Sequence, residues 1–181
     1  AVSEPVLPQL RAELAARASA SALPTPGVVP LCRTLGQVAA AATLGLREVE
    51  LEPGPELAAM LAGAREASLA VLLATPRLDR DREDLKELVA LAPDGYLVRT
   101  PGGLLRLAAL SLPDDPRRGW IGDATLNVAN SLTAHHLLGL GLAAITPALE
   151  LGESELAALL TRVDPARVTV VAFAHLAAFH T

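Results

Sequence analysis

At 181 residues and 18.7 kDa, with 51% hydrophobic residues and a mean hydropathy of +0.39, the chain can bury a sizeable core, which excludes disorder and favours one main domain. Aromatic residues are only 2%, so the core must be built from Ala, Leu and Val, and a base-stacking platform for single-stranded nucleic acid is disfavoured. The net charge of -5 opposes polyanions except at a local basic cluster, and Arg117-Arg118 is the single adjacent basic pair.

Leu7, Leu10 and Leu14, with Arg11, Glu13 and Arg17 between them, predict an amphipathic helix within Val2 to Ala20. Leu23 to Gly27, LPTPG, reads as a linker by its proline and glycine content, so residues 1–27 form an N-terminal helix with its linker and 28–181 the main domain. From Val28 the pattern alternates. VVPLCR precedes a helix through Gln37 to Leu44 closed by Gly45, and REVELE precedes one from Pro55 to Ala67. LAVLLATP precedes a charged helix from Asp81 to Leu91, and DGYLVRT one opened by Pro101. GWIGDA leads to a helix from Leu132 to Leu140, LAAITPA to one from Glu153 to Arg162, and VTVVAFA closes the series.

Short apolar strands alternating with helices predict parallel βαβ units, whose strands are covered on both faces. The strand-like runs begin near residues 28, 47, 69, 94, 119, 143 and 168, a tighter spacing than the roughly thirty residues of an average barrel repeat. The fold class is therefore α/β, a partial or compact TIM-like barrel of parallel strands alternating with helices. A leucine-rich-repeat solenoid has a similar period, but its LxxLxLxx(N/C) frame does not recur. Seven strands leave two unpaired edges. Three covers are open: the N-terminal helix, an eighth strand beyond Thr181, or a second copy or the rest of a parent chain. A start at Ala1 and an end directly after an apolar run predict a domain truncated at its C-terminus.

Cys32 is the single cysteine, which excludes an internal disulfide and a four-cysteine metal site within the chain and points to a cytoplasmic setting. No metal or cofactor is expected from this chain's own residues. No signal peptide is visible, and the apolar stretch around Leu137 to Leu149 is interrupted by Gly and Pro and falls short of a bilayer span, so no membrane partner is expected.

In parallel α/β folds ligands sit at the carboxyl ends of the strands. Those ends carry Cys32 and Arg33, Glu50 and Glu52, Thr75 and Arg77, Arg99, Asp123 with Asn127 and Asn130, Glu150, and His175 with His180. The densest polar stretch is Gly122 to Thr133, GDATLNVANSLT. Asp123 could act as base or orienter with Asn127 and Asn130 as amide donors and acceptors; equally, Asn130 or Ser131 caps the next helix and Asn127 satisfies the loop backbone. His175 is a candidate acid, base or ligand, or a structural histidine, and His180 lies near it. His135 and His136 are adjacent on a helix and read as surface or partner-facing. Arg99 before Thr100, Pro101 and Gly102-Gly103 resembles an anion site, although proline and glycine also simply start helices. GLGLAA, Gly139 to Ala144, matches a dinucleotide fingerprint in letters only, since it runs from helix into strand. Cys32 reads as buried packing before nucleophile, and no GxSxG elbow or HExxH helix is present.

Five segments, LCRTLGQVAAA (Leu31 to Ala41), DGYLVRTPGGL (Asp94 to Leu104), GDATLNVANSLTA (Gly122 to Ala134), LAAITPALEL (Leu142 to Leu151) and HLAAFHT (His175 to Thr181), resemble the collagenase-like peptidase family U-32. They align best with the second, C-terminal barrel copy of its longer members. The resemblance implies a TIM-like barrel, a historical peptidase label, and an association with hydroxylation of transfer or ribosomal RNA bases or of ubiquinone. On that pattern Asp123, Asn127, Asn130, Glu150, His175 and His180 are the positions that carry over; with the anion reading of Arg99 beside them, the candidate catalytic residues are Asp123, Asn127 and His175, and the candidate substrate-binding ones Arg99, Asn130, Glu150 and His180. It also implies an iron-sulfur cluster in the full-length protein, held by cysteines beyond Thr181, and RNA as the partner of that protein. Leu176, Ala177 and Ala178 replace the Met-Pro-Met of relatives, and the chain stops before the cysteines, so this fragment is expected to be inactive alone. The alternatives are a peptidase, or a non-catalytic interaction or scaffold domain whose open edge would pair with a second copy, as a homo-oligomer, or with the rest of the parent chain.

Overall fold

The computed structural model describes residues 6–16, 27–77, 82–110 and 119–174. Strands β1 (Leu31–Cys32), β2 (Glu48–Leu51), β3 (Ala70–Ala74), β4 (Gly95–Val98), β5 (Trp120–Gly122) and β6 (Ala144–Ile145) form one sheet in the order β1-β2-β3-β4-β5-β6, and every pair is parallel. The crossovers are α2 (Leu35–Thr43), α3 (Leu57–Glu66), α4 (Arg82–Ala90), α5 (Pro101–Ala109) and α6 (Ser131–Gly139), with α7 (Glu153–Leu160) after β6. An α/β fold of the partial TIM-barrel kind results. It is open, because β1 and β6 do not pair with each other.

Helix starts follow local chemistry. Thr34 and Gln37 make a capping box at α2, and Thr100 accepts from the Gly103 amide at α5, where Pro101 fills a position that has no amide to lose. Asn130 accepts from the Thr133 amide at α6. The N-terminal helix, α1 (Val6–Ala16), lies against α6. Of the expected linker, residues 23–26 lie outside the described residues.

The seventh strand is the main departure from the expected pattern. Val168 makes one parallel bridge to Ile145, its neighbour Thr169 donates to the Ile145 carbonyl at 2.9 Å, and no strand follows among the described residues. The ladder is short because Pro147, just past β6, has no amide to offer. Val170 and Val171 are exposed beyond it.

Period-two alternation sorts the strand residues onto two faces. Val49, Leu51, Val71, Leu73, Tyr96, Val98 and Trp120 pack under the helices. Leu31, Leu72, Ala74, Leu97, Ile121 and Ala144 make a second, inner cluster. The register is Leu31 to Glu50 to Leu72, and Ala74 to Leu97 to Ile121 to Ala144, so Glu50 shares the inner face. Gly95 is required where β4 meets the turn before β5, since a Cβ there would strike the Gly119 carbonyl.

Candidate functional site

Extending the inner face by one residue past the strand ends brings Glu52, Arg99 and Asp123 to one side of the sheet. Arg99, 2% exposed, gives Nη1 and Nη2 to the two Glu52 oxygens at 2.6 and 2.7 Å, and Nε to Asp123 Oδ2 at 3.1 Å. This is a bidentate fork with a second carboxylate on its flank. The backbone is fixed as well. The Arg99 amide donates to the buried Thr75 hydroxyl at 2.9 Å, and the Thr125 hydroxyl lies 2.9 Å from the Arg99 carbonyl and 3.2 Å from Asp123 Oδ2. Asp123 Oδ1 accepts from the Ala124 amide at 2.7 Å, starting a 3-10 turn at Ala124–Leu126.

Burial acts to lower the Arg99 guanidinium, but hydrogen bonds and charge from Glu52, then Asp123, outweigh it and hold it firmly charged. Glu52 is the mirror case. Burial would raise its carboxyl, and Arg99, with Arg77 and Arg33 behind it, holds it below the ordinary value. Glu50 sits one inner position below Glu52; its amide donates to the Pro30 carbonyl at 2.9 Å, while its carboxyl makes no hydrogen bond among the described residues. Its carboxyl is pushed up to about 7, first by burial, then by Asp123 and Glu48, with Arg99 only partly offsetting them. A carboxyl at that value can give or take a proton near neutral pH.

A cleft of about 500 Å³ opens beside this cluster. Glu52, Thr75, Arg77, Glu87 and Arg99 form its polar wall, and Leu57, Leu88 and Leu91 its apolar one.

The structure joins Arg99 and Asp123 but gives the other expected positions local work or none. Asn127 is exposed, with φ of 55°, and ends the 3-10 turn in the left-handed conformation that asparagine tolerates. Asn130 spends its Oδ1 on the cap of α6. Glu150 is exposed in the turn after β6, and none of the three bonds to the Arg99 cluster among the described residues. His175 and His180 lie outside the described residues. The anion-site expectation for Arg99 meets a different arrangement: its charge is already balanced by two carboxylates, while Thr100, Pro101 and Gly103 start a helix. Cys32 packs under the helices, and its thiol is pushed up first by burial, then by Glu50.

His135 corrects the surface reading. It is 9% exposed, with Nε2 held 3.0 Å from the Arg162 carbonyl, whereas His136 is exposed. Adjacent on the helix, the two point different ways, and the larger part of the α6 surface faces protein. Glu52 and Thr125 were visible in the sequence as strand-end polar residues; their partnership with Arg99 was not.

Fold and site together define an α/β, TIM-barrel-like domain with a charged cluster at the carboxyl ends of its parallel strands. In fold it is similar to the crystal structure of the glycerol uptake operon antiterminator regulatory protein from Listeria monocytogenes strain 4b F2365, at 12% identity and a TM-score of 0.52, covering 82% of this chain and 94% of that one. At that identity the likeness is one of fold alone. No family model matches the chain, and no curated protein does. No described helix is long and apolar enough to cross a membrane.

Proposed function

We propose that this chain is a barrel domain of a collagenase-like, U-32-type protein, and that the full-length protein hydroxylates bases of ribosomal or transfer RNA. One observation carries the reading. The segments Asp94 to Leu104 and Gly122 to Ala134, on which the resemblance rests, supply Arg99, Asp123 and Thr125, and these meet at the face where parallel barrels bind ligands. In this reading Arg99 and its carboxylates form a rigid polar floor, and Glu50 beneath them is the proton-transfer group.

The residues present do not fit an iron-sulfur cluster. Cys32 is the single thiol of the chain and is turned under the helices, and no group of three or more His, Cys, Asp or Glu among the described residues could hold a metal ion. Cluster ligands would therefore come from cysteines beyond Thr181, and no step here depends on them. The edge of β1, and the edge of β6 beyond its single bridge to Val168, are where the remainder of the parent chain, or a second copy, would dock. A cytoplasmic location belongs to the same proposal.

The test is deletion of the gene followed by mass spectrometry of ribosomal and transfer RNA nucleosides. The expected result is loss of one oxygen from a specific base, restored by the intact gene and not by Asp123→Asn. An unchanged nucleoside profile ends the reading. The peptidase alternative draws on the same Glu50, since hydrolysis also uses a proton acceptor near neutral pH. It requires cleavage of denatured collagen that disappears with Asp123→Asn or His175→Ala.

A further inference from the structure

We infer that the cleft beside the Arg99 cluster binds a free α-amino acid with an apolar side chain, its carboxylate on Thr75 and Arg77 and its ammonium on Glu52 and Glu87. This goes beyond the hydroxylation reading and does not depend on it.

The volume of about 500 Å³ falls in the range of small-ligand sites. The lining carries two carboxylates, Glu52 and Glu87, and two guanidiniums, Arg77 and Arg99, so its formal charges cancel. A ligand of one sign alone would meet two like charges there, which costs binding energy. A zwitterion answers both signs.

The hydrogen-bonding capacity left over is also of both kinds. Thr75 is 1% exposed; its oxygen accepts from the Arg99 amide at 2.9 Å, and no acceptor among the described residues takes the hydroxyl hydrogen. Because Thr75 lines the cleft, that buried hydroxyl is a donor for a carboxylate oxygen. Arg77, two residues further on, is exposed and makes no ion pair or hydrogen bond among the described residues, so its guanidinium is available to the same carboxylate. On the other side, each Glu52 oxygen accepts one hydrogen from Arg99 and keeps capacity for another, and Glu87, exposed on α4, has no partner among the described residues.

Spacing supports the same ligand. Arg77 is near enough to hold the Glu52 carboxyl down and yet makes no ion pair with it. The two poles are therefore close but separate, as are the ammonium and carboxylate on one α-carbon. Leu57 at the start of α3, Leu88 on α4 and Leu91 just past it form the remaining wall, which suits an apolar side chain and offers nothing to a polar one.

The test is isothermal titration calorimetry of the full-length protein with L-leucine and L-phenylalanine, and with the amide and the N-acetyl derivative of each. The amide lacks the anionic end and the N-acetyl compound the cationic one, and the two also stand for the ends of a peptide. Saturation-transfer NMR of the ligand follows the weaker binders. One or both amino acids should bind saturably, and each derivative about tenfold or more weakly, the loss that follows from removing a charge-assisted hydrogen bond. Arg77→Met should weaken the amino acid about tenfold and leave the amide unchanged; Glu87→Gln should weaken the amino acid and leave the N-acetyl compound unchanged. Both residues are exposed, and thermal melts check that the variants fold; if one does not, the comparison of compounds on the wild-type protein decides. No saturation by either amino acid up to about 10 mM, a derivative that binds as tightly as its parent, or variants that leave affinity unchanged would each overturn the assignment. Saturable leucine binding with RNA nucleosides unchanged on gene deletion would end the hydroxylation reading and leave this site standing.

Discussion

Replacing Arg99 with methionine keeps most of the side chain's length and removes its charge. The structure sets the size of the effect. Three charge-assisted hydrogen bonds, at 2.6, 2.7 and 3.1 Å, disappear, and Glu52 and Asp123 are left facing each other without a cation, with Glu50 below them. Removing one partner from a buried ion pair costs about 3–5 kcal/mol. For a domain of this size that corresponds to a fall in Tm of about 6–20 °C. The loss must also depend on pH. Glu52 is held below its ordinary value in the folded protein, so it contributes stability above its unfolded pKa and loses it as pH falls through the folded one. Without Arg99 that contribution is absent, so the gap between wild type and Arg99→Met should be widest at neutral pH and close in acid. Thermal melts of both proteins from pH 8 down to about pH 3, below the ordinary carboxylate value, provide the assay. A loss under about 1 kcal/mol at neutral pH, or a gap that does not narrow in acid, would refute the view of Arg99 as the charge that holds this face together.

Glu50 carries the opposite sign. Its folded value is raised from 4.5 to about 7, so between those values the folded state binds more protons than the unfolded one and stability falls as pH rises. Glu50→Gln should remove that slope and be the more stable protein at pH 8; parallel pH-stability curves would count against burial of the carboxyl. Thr75→Val leaves the Arg99 amide without its acceptor inside the protein and should cost about 1–3 kcal/mol in denaturant unfolding, whereas Thr75→Ser should be nearly silent. Gly95→Ala sets a methyl against the Gly119 carbonyl and should cost about 1–3 kcal/mol, because two backbones must part; an unchanged melt would show that the β4 to β5 approach is looser than described.

The alternation of apolar runs and helical stretches was legible in the sequence because each strand and helix is coded within a few residues. Asn130 was legible as a cap and Pro101 as a helix opening because that chemistry spans three residues; Thr34 and Thr100 cap α2 and α5 through the same short-range hydrogen bonds but were not singled out. The strand-end rule brought Glu50, Glu52, Arg99 and Asp123 onto one short roll of polar residues. The same rule could not separate them from Asn127, Asn130 and Glu150, which lie at the same end of the strands and have other work or none.

What the chain by itself determined was therefore the α/β class and the end of the sheet that bears polar groups. Tertiary structure alone decided that Arg99 meets Glu52, 47 residues away, and Asp123, 24 residues away, that His135 is buried against the end of α7, and that the seventh strand shrinks to one bridge. The reason is physical: a side chain's face and capping chemistry follow from its immediate neighbours, whereas charge pairing and burial depend on how the parallel strands are placed side by side.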